Sequence, residues 1–273
     1  MKLFSTYTNK IILVNAALFL VLRILMTFFN ADKIIYIFAL QPALVLAGKN
    51  LWTIITSMFF HIEAWHVLAN MISVFFLGTF IERLIGKKRF LWLYLLSGIF
   101  AGIFYALLAF FFGNSVIGAR IFGDPLTYAL GASGAIFGLL GLLAVLIPEG
   151  RVSLIAGPLI ALIIGIILEL KFSSSVFVTI FNLALILYSF FIIYAIFSFD
   201  SSLRKYIIPI EMPFWLLPIV AIAPLIIIGI IFPLPIGNTA HLGGLIVGLF
   251  YGFYLKSKYP RKTKMISRFF SKQ

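Results

Sequence analysis

Cysteine is absent from the 273-residue chain, so disulfide bonds, thiolate metal ligands and thiol nucleophiles are excluded. Charge is also scarce, because Asp, Glu, Lys and Arg make up 11% of the residues and hydrophobic residues make up 63%. A soluble domain could not solvate so apolar a surface. The composition is typical of a protein that crosses a membrane several times.

Eight apolar stretches, each about 18 to 25 residues long and so able to cross a bilayer, divide the chain. They lie near residues 11–29, 62–82, 91–112, 130–147, 154–171, 176–198, 213–232 and 240–255. No small-residue cleavage site follows the first, which we expect to remain as a helix rather than be removed as a signal peptide. Residues 30–60 are apolar but interrupted, which indicates an outer segment in the lipid interface with Trp52 at headgroup depth.

The basic residues are distributed unevenly between the two sides of the predicted membrane. With the N-terminus inside, 16 of the 21 Lys and Arg residues lie in inner segments and four in outer ones, while Arg23 lies within the first span. Positive charge accumulates on the cytoplasmic side, so both termini are expected in the cytoplasm, with the chain in the cell membrane. The net charge of +13 therefore reflects topology and attraction to lipid headgroups rather than nucleic-acid binding. Residues 1–256 are expected to form a membrane domain and 257–273 a basic tail.

Two glycine-rich stretches a hundred residues apart are suited to close helix packing. In GASGAIFGLLG, four glycines share one helix face at i, i+3, i+7 and i+10: Gly131, Gly134, Gly138 and Gly141. In NTAHLGGLIVG, His241 shares a face with Gly244 and Gly248. Small residues let helices in lipid approach almost to backbone contact. The pattern predicts that Ser133, in the first turn of one helix, meets His241, which would give a hydroxyl nucleophile its base.

A carboxylate often orients such a histidine, and the chain has eight acidic residues that could supply one. They are Asp32, Glu63, Glu82, Asp124, Glu149, Glu169, Asp200 and Glu211. None lies within the Ser133 or His241 helix, and four are expected on the inner side. We therefore expect a Ser-His dyad without a third member.

The helix at 62–82 begins with further polar residues at its outer end. His66 and Asn70 are at i and i+4, so they share a face, and both can donate hydrogen bonds. A tetrahedral intermediate at Ser133 needs such donors, each worth on the order of 3 kcal/mol of barrier. The Ser133 backbone N–H, at the start of its helix, is a third candidate. His61 is expected to be an interfacial residue.

The GASGAIFG and AHLGGLIVG stretches, together with HVLAN at 66–70, resemble the motifs of the rhomboid intramembrane serine proteases. The resemblance covers roughly residues 38–255. It implies an all-α polytopic membrane fold and an endopeptidase that cleaves transmembrane segments of other proteins without a cofactor or metal. Ser133 and His241 match the family's catalytic residues, His66 and Asn70 its oxyanion residues, and Phe137 an aromatic residue that packs on the histidine.

The resemblance also carries expectations about access and architecture. In the family, substrates enter beside the helix equivalent to 213–232, and the loop Pro233 to Asn238 would form a movable cap. The family has one helix between the serine and histidine helices, whereas this chain has three apolar stretches there. Because KYIIPIEMPFWLLPIV resembles the entry to the family's fifth helix, residues 154–198 are expected to be an inserted two-helix hairpin. The result is a rhomboid-like six-helix core within about eight transmembrane helices. Glu82 and Arg83 are expected to form a helix-end ion pair.

Three other interpretations remain open. A catalytically silent rhomboid-like protein that binds transmembrane helices would keep the fold but lose Ser or His. A transporter would place charged or broken-helix elements near the midplane, whereas the polar groups here cluster at the outer mouth. A zinc site would use His61, His66 and His241, but the first two lack i, i+4 spacing and no HExxH motif exists.

Overall fold

The computed structural model describes residues 6–155, 164, 168, 176–197, 202–203, 206, 209–231 and 237–271. These residues are mostly helical, which confirms the coarser part of the predicted class, a helical membrane protein. The helices are α1 (Tyr7–Phe28), α2 (Ala31–Phe38), α3 (Pro42–Leu46), α4 (Thr53–Thr56), α5 (Ala64–Ser73), α6 (Thr79–Ile85), α7 (Lys87–Phe112), α8 (Val116–Phe122), α9 (Ser133–Leu146), α10 (Val176–Phe197), α11 (Leu217–Ile231), α12 (Asn238–Lys258) and α13 (Pro260–Phe270). The structure also contains a 3-10 helix (Ser57–Phe59), a π-helical turn (Val74–Gly78) and two strands, β1 (Arg151–Ile155) and β2 (Pro209–Pro213). The chain divides into two compact units, Met1–Gly150 with Phe214–Gln273, and Arg151–Pro213.

Three described helices are long and apolar enough to cross a membrane: Tyr7–Phe28, Ala64–Ile85 and Lys87–Phe112. The second consists of α5 and α6 joined without interruption by the π-helical turn Val74–Gly78. Shorter apolar helices lie at Ser133–Leu146, Val176–Ile192 and Leu217–Ile230. All six coincide with predicted spans, whereas the predicted span 154–171 lies largely outside the described residues.

Helix α9 is the core of the first unit, because 12 of its 14 residues are buried. Its glycines meet those of α12 backbone to backbone. A Cβ atom added at Gly244 would collide with the carbonyl oxygen of Gly134, and one at Gly248 with that of Gly138. Side chains are therefore excluded along this contact, as the glycine spacing predicts.

Glu82 has a different role from the expected helix-end ion pair with Arg83. Its carboxylate is 5% exposed and accepts hydrogen bonds from the Tyr7 and Thr8 backbone N–H groups, each 2.9 Å, and from the Thr8 hydroxyl at 2.7 Å. These amides belong to the first turn of α1, where helical N–H groups lack internal partners. Glu82 therefore caps α1 and ties it to α6.

Side chains of the segment around Trp52 satisfy the free carbonyl groups at the end of α2, which the helix itself leaves unpaired. Asn50 Nδ2 donates to the Tyr36 carbonyl at 3.0 Å, Trp52 Nε1 to that of Ile37 at 2.8 Å, and Thr56 Oγ1 to that of Phe38 at 3.0 Å. Trp52 is 53% exposed. The interrupted segment therefore folds into short helices held together by their own polar groups.

The second unit contains a two-stranded ribbon that the all-α expectation missed. Strands β1 and β2 are antiparallel, with Arg151 opposite Pro213 and Ile155 opposite Pro209. The pairing satisfies backbone groups of two segments that are not helical, and the prolines lie at the ends of β2, where strands tolerate them. Helix α10 matches the predicted span 176–198. The inserted hairpin itself, residues 154–198, stays a prediction.

Candidate active site

Ser133 and His241 lie within hydrogen-bond distance at the contact between α9 and α12. Ser133 is the first residue of α9, and its Oγ is 2.8 Å from His241 Nε2. The separation follows from the glycine contacts, since Gly134 and Gly244 hold the two backbones together one turn or less from these side chains. A hydroxyl and an imidazole at this distance can exchange a proton.

The ring of Phe137 fixes the orientation of His241. The two rings are stacked with centroids 4.4 Å apart and an interplanar angle of 18°. In the described part of the chain, His241 Nδ1 has no hydrogen-bond partner. Stacking can orient the imidazole, as a carboxylate does in a triad, so the geometry is compatible with the expected dyad.

Gly131 lies in the turn before α9, not on its glycine face as expected. Its φ of 114° is in the left-handed region that glycine adopts readily, and its N–H donates to the Ser57 carbonyl at 2.8 Å. A Cβ atom there would be 2.6 Å from Cε1 of His66 and 3.7 Å from Nδ2 of Asn70. The missing side chain thus leaves room for both predicted oxyanion residues beside the start of α9.

Both hydrogens of the Asn70 side-chain amide are engaged inside the protein. Nδ2 donates to the His66 backbone carbonyl at 3.0 Å and lies 3.1 Å from Nε2 of His61. Asn70 is 6% exposed. One of these two bonds must yield, or be shared, for Asn70 to donate to an oxyanion.

His61 is the residue whose place the sequence does not predict. It is 1% exposed rather than interfacial. Its Nε2 also accepts the Ala132 backbone N–H at 3.4 Å, and its ring contacts that of His66 edge-on, 4.9 Å between centroids. Two donors converge on Nε2, so the proton of the neutral ring resides on Nδ1. His61 therefore joins Asn70 to the residue that precedes Ser133.

Burial and the neighbouring His66 lower the pKa of His61 to about 4. The ring is therefore neutral near pH 7, as an acceptor at Nε2 requires. The only sequence signal was the position of His61 beside the other histidines at the outer helix ends. Its spacing to Asn70 crosses a non-helical turn, so helical periodicity does not relate the two residues.

A cavity of about 640 Å³ gives access to the site. His66, Ser133 and His241 are among its lining residues, whereas Asn70 is not. Charged groups in the lining are Glu63, Arg120 and Asp124. The cavity is thus partly polar, as a reaction that consumes water requires.

Comparisons with known proteins agree with the motifs. The model of the Rhomboid domain matches residues 48–186 and 186–258. The chain is 30% identical over 167 residues to Rhomboid protease GluP of Bacillus subtilis, which covers 58% of this chain and 30% of that protein. Two proteins of Arabidopsis thaliana are also similar. RHOMBOID-like protein 12, mitochondrial, is 35% identical over 46% of this chain, and RHOMBOID-like protein 1 is 36% identical over 38% of it. The chain covers 37% and 23% of those two proteins, so it spans well under half the length of these relatives.

Proposed function

Because this chain belongs to the rhomboid family, we propose that it is an intramembrane serine endopeptidase that cleaves transmembrane segments of other membrane proteins. The observation that supports this function is the 2.8 Å contact between Ser133 Oγ and His241 Nε2 at a cavity of about 640 Å³. The substrates would be helices that unwind locally to present a peptide bond to the cavity.

In the proposed reaction, His241 Nε2 takes the Ser133 hydroxyl proton as Oγ attacks the carbonyl carbon of the scissile bond. The tetrahedral intermediate collapses as the imidazolium gives that proton to the leaving nitrogen, which leaves an acyl-enzyme ester. Water, deprotonated by the same imidazole, then attacks the ester carbonyl carbon to give a second tetrahedral intermediate. This intermediate collapses by breaking the bond to Ser133 Oγ, to which the imidazolium returns the proton, and the second product leaves as a carboxylic acid. Stacking on Phe137 keeps the ring aligned through both steps.

The developing oxyanion would receive hydrogen bonds from three sources. The Ser133 backbone N–H lies in the first turn of α9, where helical amides are free. His66 lines the cavity beside it. Nδ2 of Asn70 lies close to Gly131 and would donate to the oxyanion once one of its bonds, to His61 or to the His66 carbonyl, yields or is shared. Such donors act only when charge develops, so they lower the barrier rather than tighten substrate binding.

Substrates would enter from the lipid beside α11, and two hydrogen bonds hold this helix to its neighbours. Arg120 Nη1 donates to the Ile230 carbonyl at 3.0 Å, and Asn238 Nδ2 to that of Leu225 at 3.3 Å. The proposed cap Pro233 to Asn238 lies mostly outside the described residues. The excess of basic residues in the predicted inner segments supports cytoplasmic termini and a site open to the outer side.

Labelling with a fluorophosphonate, which reacts with activated serines, tests the proposal. The wild type should be labelled, while Ser133→Ala and His241→Ala should not be and should also fail to cleave a model transmembrane substrate. Thermal unfolding of each variant checks that it is folded. An unlabelled, folded wild type would instead favour a silent protein that binds transmembrane helices.

A further inference from the structure

The end of the first unit opposite the active-site mouth carries aromatic and basic side chains in direct contact. Arg89 Nη2, near the start of α7, donates to the Tyr259 hydroxyl at 2.8 Å, and its guanidinium lies 4.9 Å from the centroid of that ring. Lys258 Nζ donates to the Tyr254 hydroxyl at 2.7 Å. Tyrosine and basic residues at helix ends are typical of headgroup depth in a membrane. Helix α13 begins directly after this group, at Pro260.

One face of α13 is fixed to the rest of the unit. Thr263 is buried, and its hydroxyl donates to the Tyr259 carbonyl at 3.0 Å. The Phe270 ring meets Phe80 edge-on with centroids 5.3 Å apart, and its Cβ lies 3.3 Å from where a Cβ of Gly150 would be. The helix is therefore held at both ends, at the depth that the tyrosines indicate.

The other side of α13 exposes an apolar pair between positive charges. Met265 and Phe269, at i and i+4, are 71% and 59% exposed. At 100° per residue, basic residues lie on both flanks of this apolar pair. Lys262 is on one flank, and the other flank carries Arg261, Lys264 and Arg268. Pro260–Phe270 contains no acidic residue. Glu149, which precedes the Gly150 that Phe270 packs against, is exposed.

We propose that α13 is a binding site for anionic lipid. Met265 and Phe269 would lie among the acyl chains next to the headgroups, and the four basic side chains would bind lipid phosphates. Amphipathic helices with this arrangement bind membrane interfaces through apolar burial and attraction to anionic headgroups. A second copy of the chain would bring the same positive charges face to face. Charge complementarity therefore favours lipid as the partner.

The absence of cysteine makes the test direct. A Met265→Cys variant of the full chain carries one thiol, which can be labelled with the environment-sensitive fluorophore bimane. Titration of the detergent-solubilised protein with phosphatidylglycerol should shift the emission to the blue at concentrations where phosphatidylcholine has little effect. A Ser271→Cys variant, beyond the apolar pair, should show a smaller shift.

Two lysines are then neutralised in each of two matched variants. Lys262→Gln/Lys264→Gln should weaken the apparent affinity for phosphatidylglycerol about fivefold for each lysine, the effect of one charge near an anionic surface. Lys33→Gln/Lys49→Gln removes two exposed lysines distant from α13 and should leave the affinity unchanged. Thermal unfolding shows that both variants are folded.

Other outcomes would overturn the proposal. Equal shifts with phosphatidylcholine and phosphatidylglycerol would show apolar insertion without recognition of charge. A shift produced by inorganic phosphate alone would make α13 a soluble-anion site. Self-quenching that rises with protein concentration would identify a second copy of the chain as the partner, and an unchanged spectrum in all lipids would place Met265 in water.

Discussion

Gly244→Ala tests whether backbone contact between α9 and α12 sets the active-site geometry. The added Cβ would collide with the carbonyl oxygen of Gly134, which is main chain and has no rotamer to change. Non-bonded atoms need separations of about 3.5 Å, so the helices would have to part by about 1 Å or more. Overpacking of this kind costs about 1–3 kcal/mol, partly offset by up to about 1 kcal/mol from the better helix propensity of alanine.

The effect on rate should exceed the effect on stability. Ser133 and His241 sit on the two helices that would separate, and a misplacement of about 1 Å at reacting groups can cost on the order of 100-fold. The rate constant of fluorophosphonate labelling measures this loss, and thermal unfolding measures stability. Gly229→Ala is the matched control, because its Cβ would meet its nearest neighbours at 3.5 and 3.7 Å, ordinary contact distances. Wild-type labelling by a folded Gly244→Ala protein would refute the role of the glycine contact.

Three further predictions concern the oxyanion residues, His61 and the second unit. Asn70→Ala should lower kcat on the order of 100-fold with KM little changed, and a change in KM alone would make Asn70 structural. The pKa of His61 is lower in the folded protein than in the unfolded chain, so protons bind preferentially to the unfolded chain between about pH 6.5 and 4. The free energy of unfolding should therefore be highest above about pH 6.5 and should fall by about 3 kcal/mol as the pH decreases to about 4. His61→Gln separates this part from the titration of other groups. Its side-chain oxygen can still accept both hydrogen bonds, and thermal unfolding should depend less on pH than in the wild type. Replacing residues 151–213 by a short linker should retain serine labelling but lower the stability. A short linker can join the two ends because the Phe214 N–H already donates to the Gly150 carbonyl at 2.9 Å. Loss of labelling in folded protein would make the second unit part of the site.

The sequence was most informative where one spacing determines one contact. Glycines at i, i+3 and i+7 with a serine or histidine at the same helix end leave little choice of partner, so the approach of Ser133 to His241 could be predicted. Glu82 and His61 could not be placed this way, because their partners are backbone amides of segments 75 and 71 residues distant. A helix start predicts that its first amides are free, but it does not indicate which distant side chain accepts from them. Gly131 has the sequence spacing of the helical glycines, but its positive φ places it before the helix rather than in it.

The cap that Glu82 provides for α1 has a consequence for biosynthesis. The first apolar helix leaves the ribosome before its carboxylate partner exists, because 75 residues separate Tyr7 from Glu82. At about 5–20 residues per second, the amides of the first turn wait about 4–15 s for that partner. During this interval α1 can insert but lacks its final anchor, so its docking must follow synthesis of α6. A substitution of Glu82 should therefore reduce the amount of correctly assembled protein, through degradation of the newly made chain, without changing the geometry of Ser133 and His241.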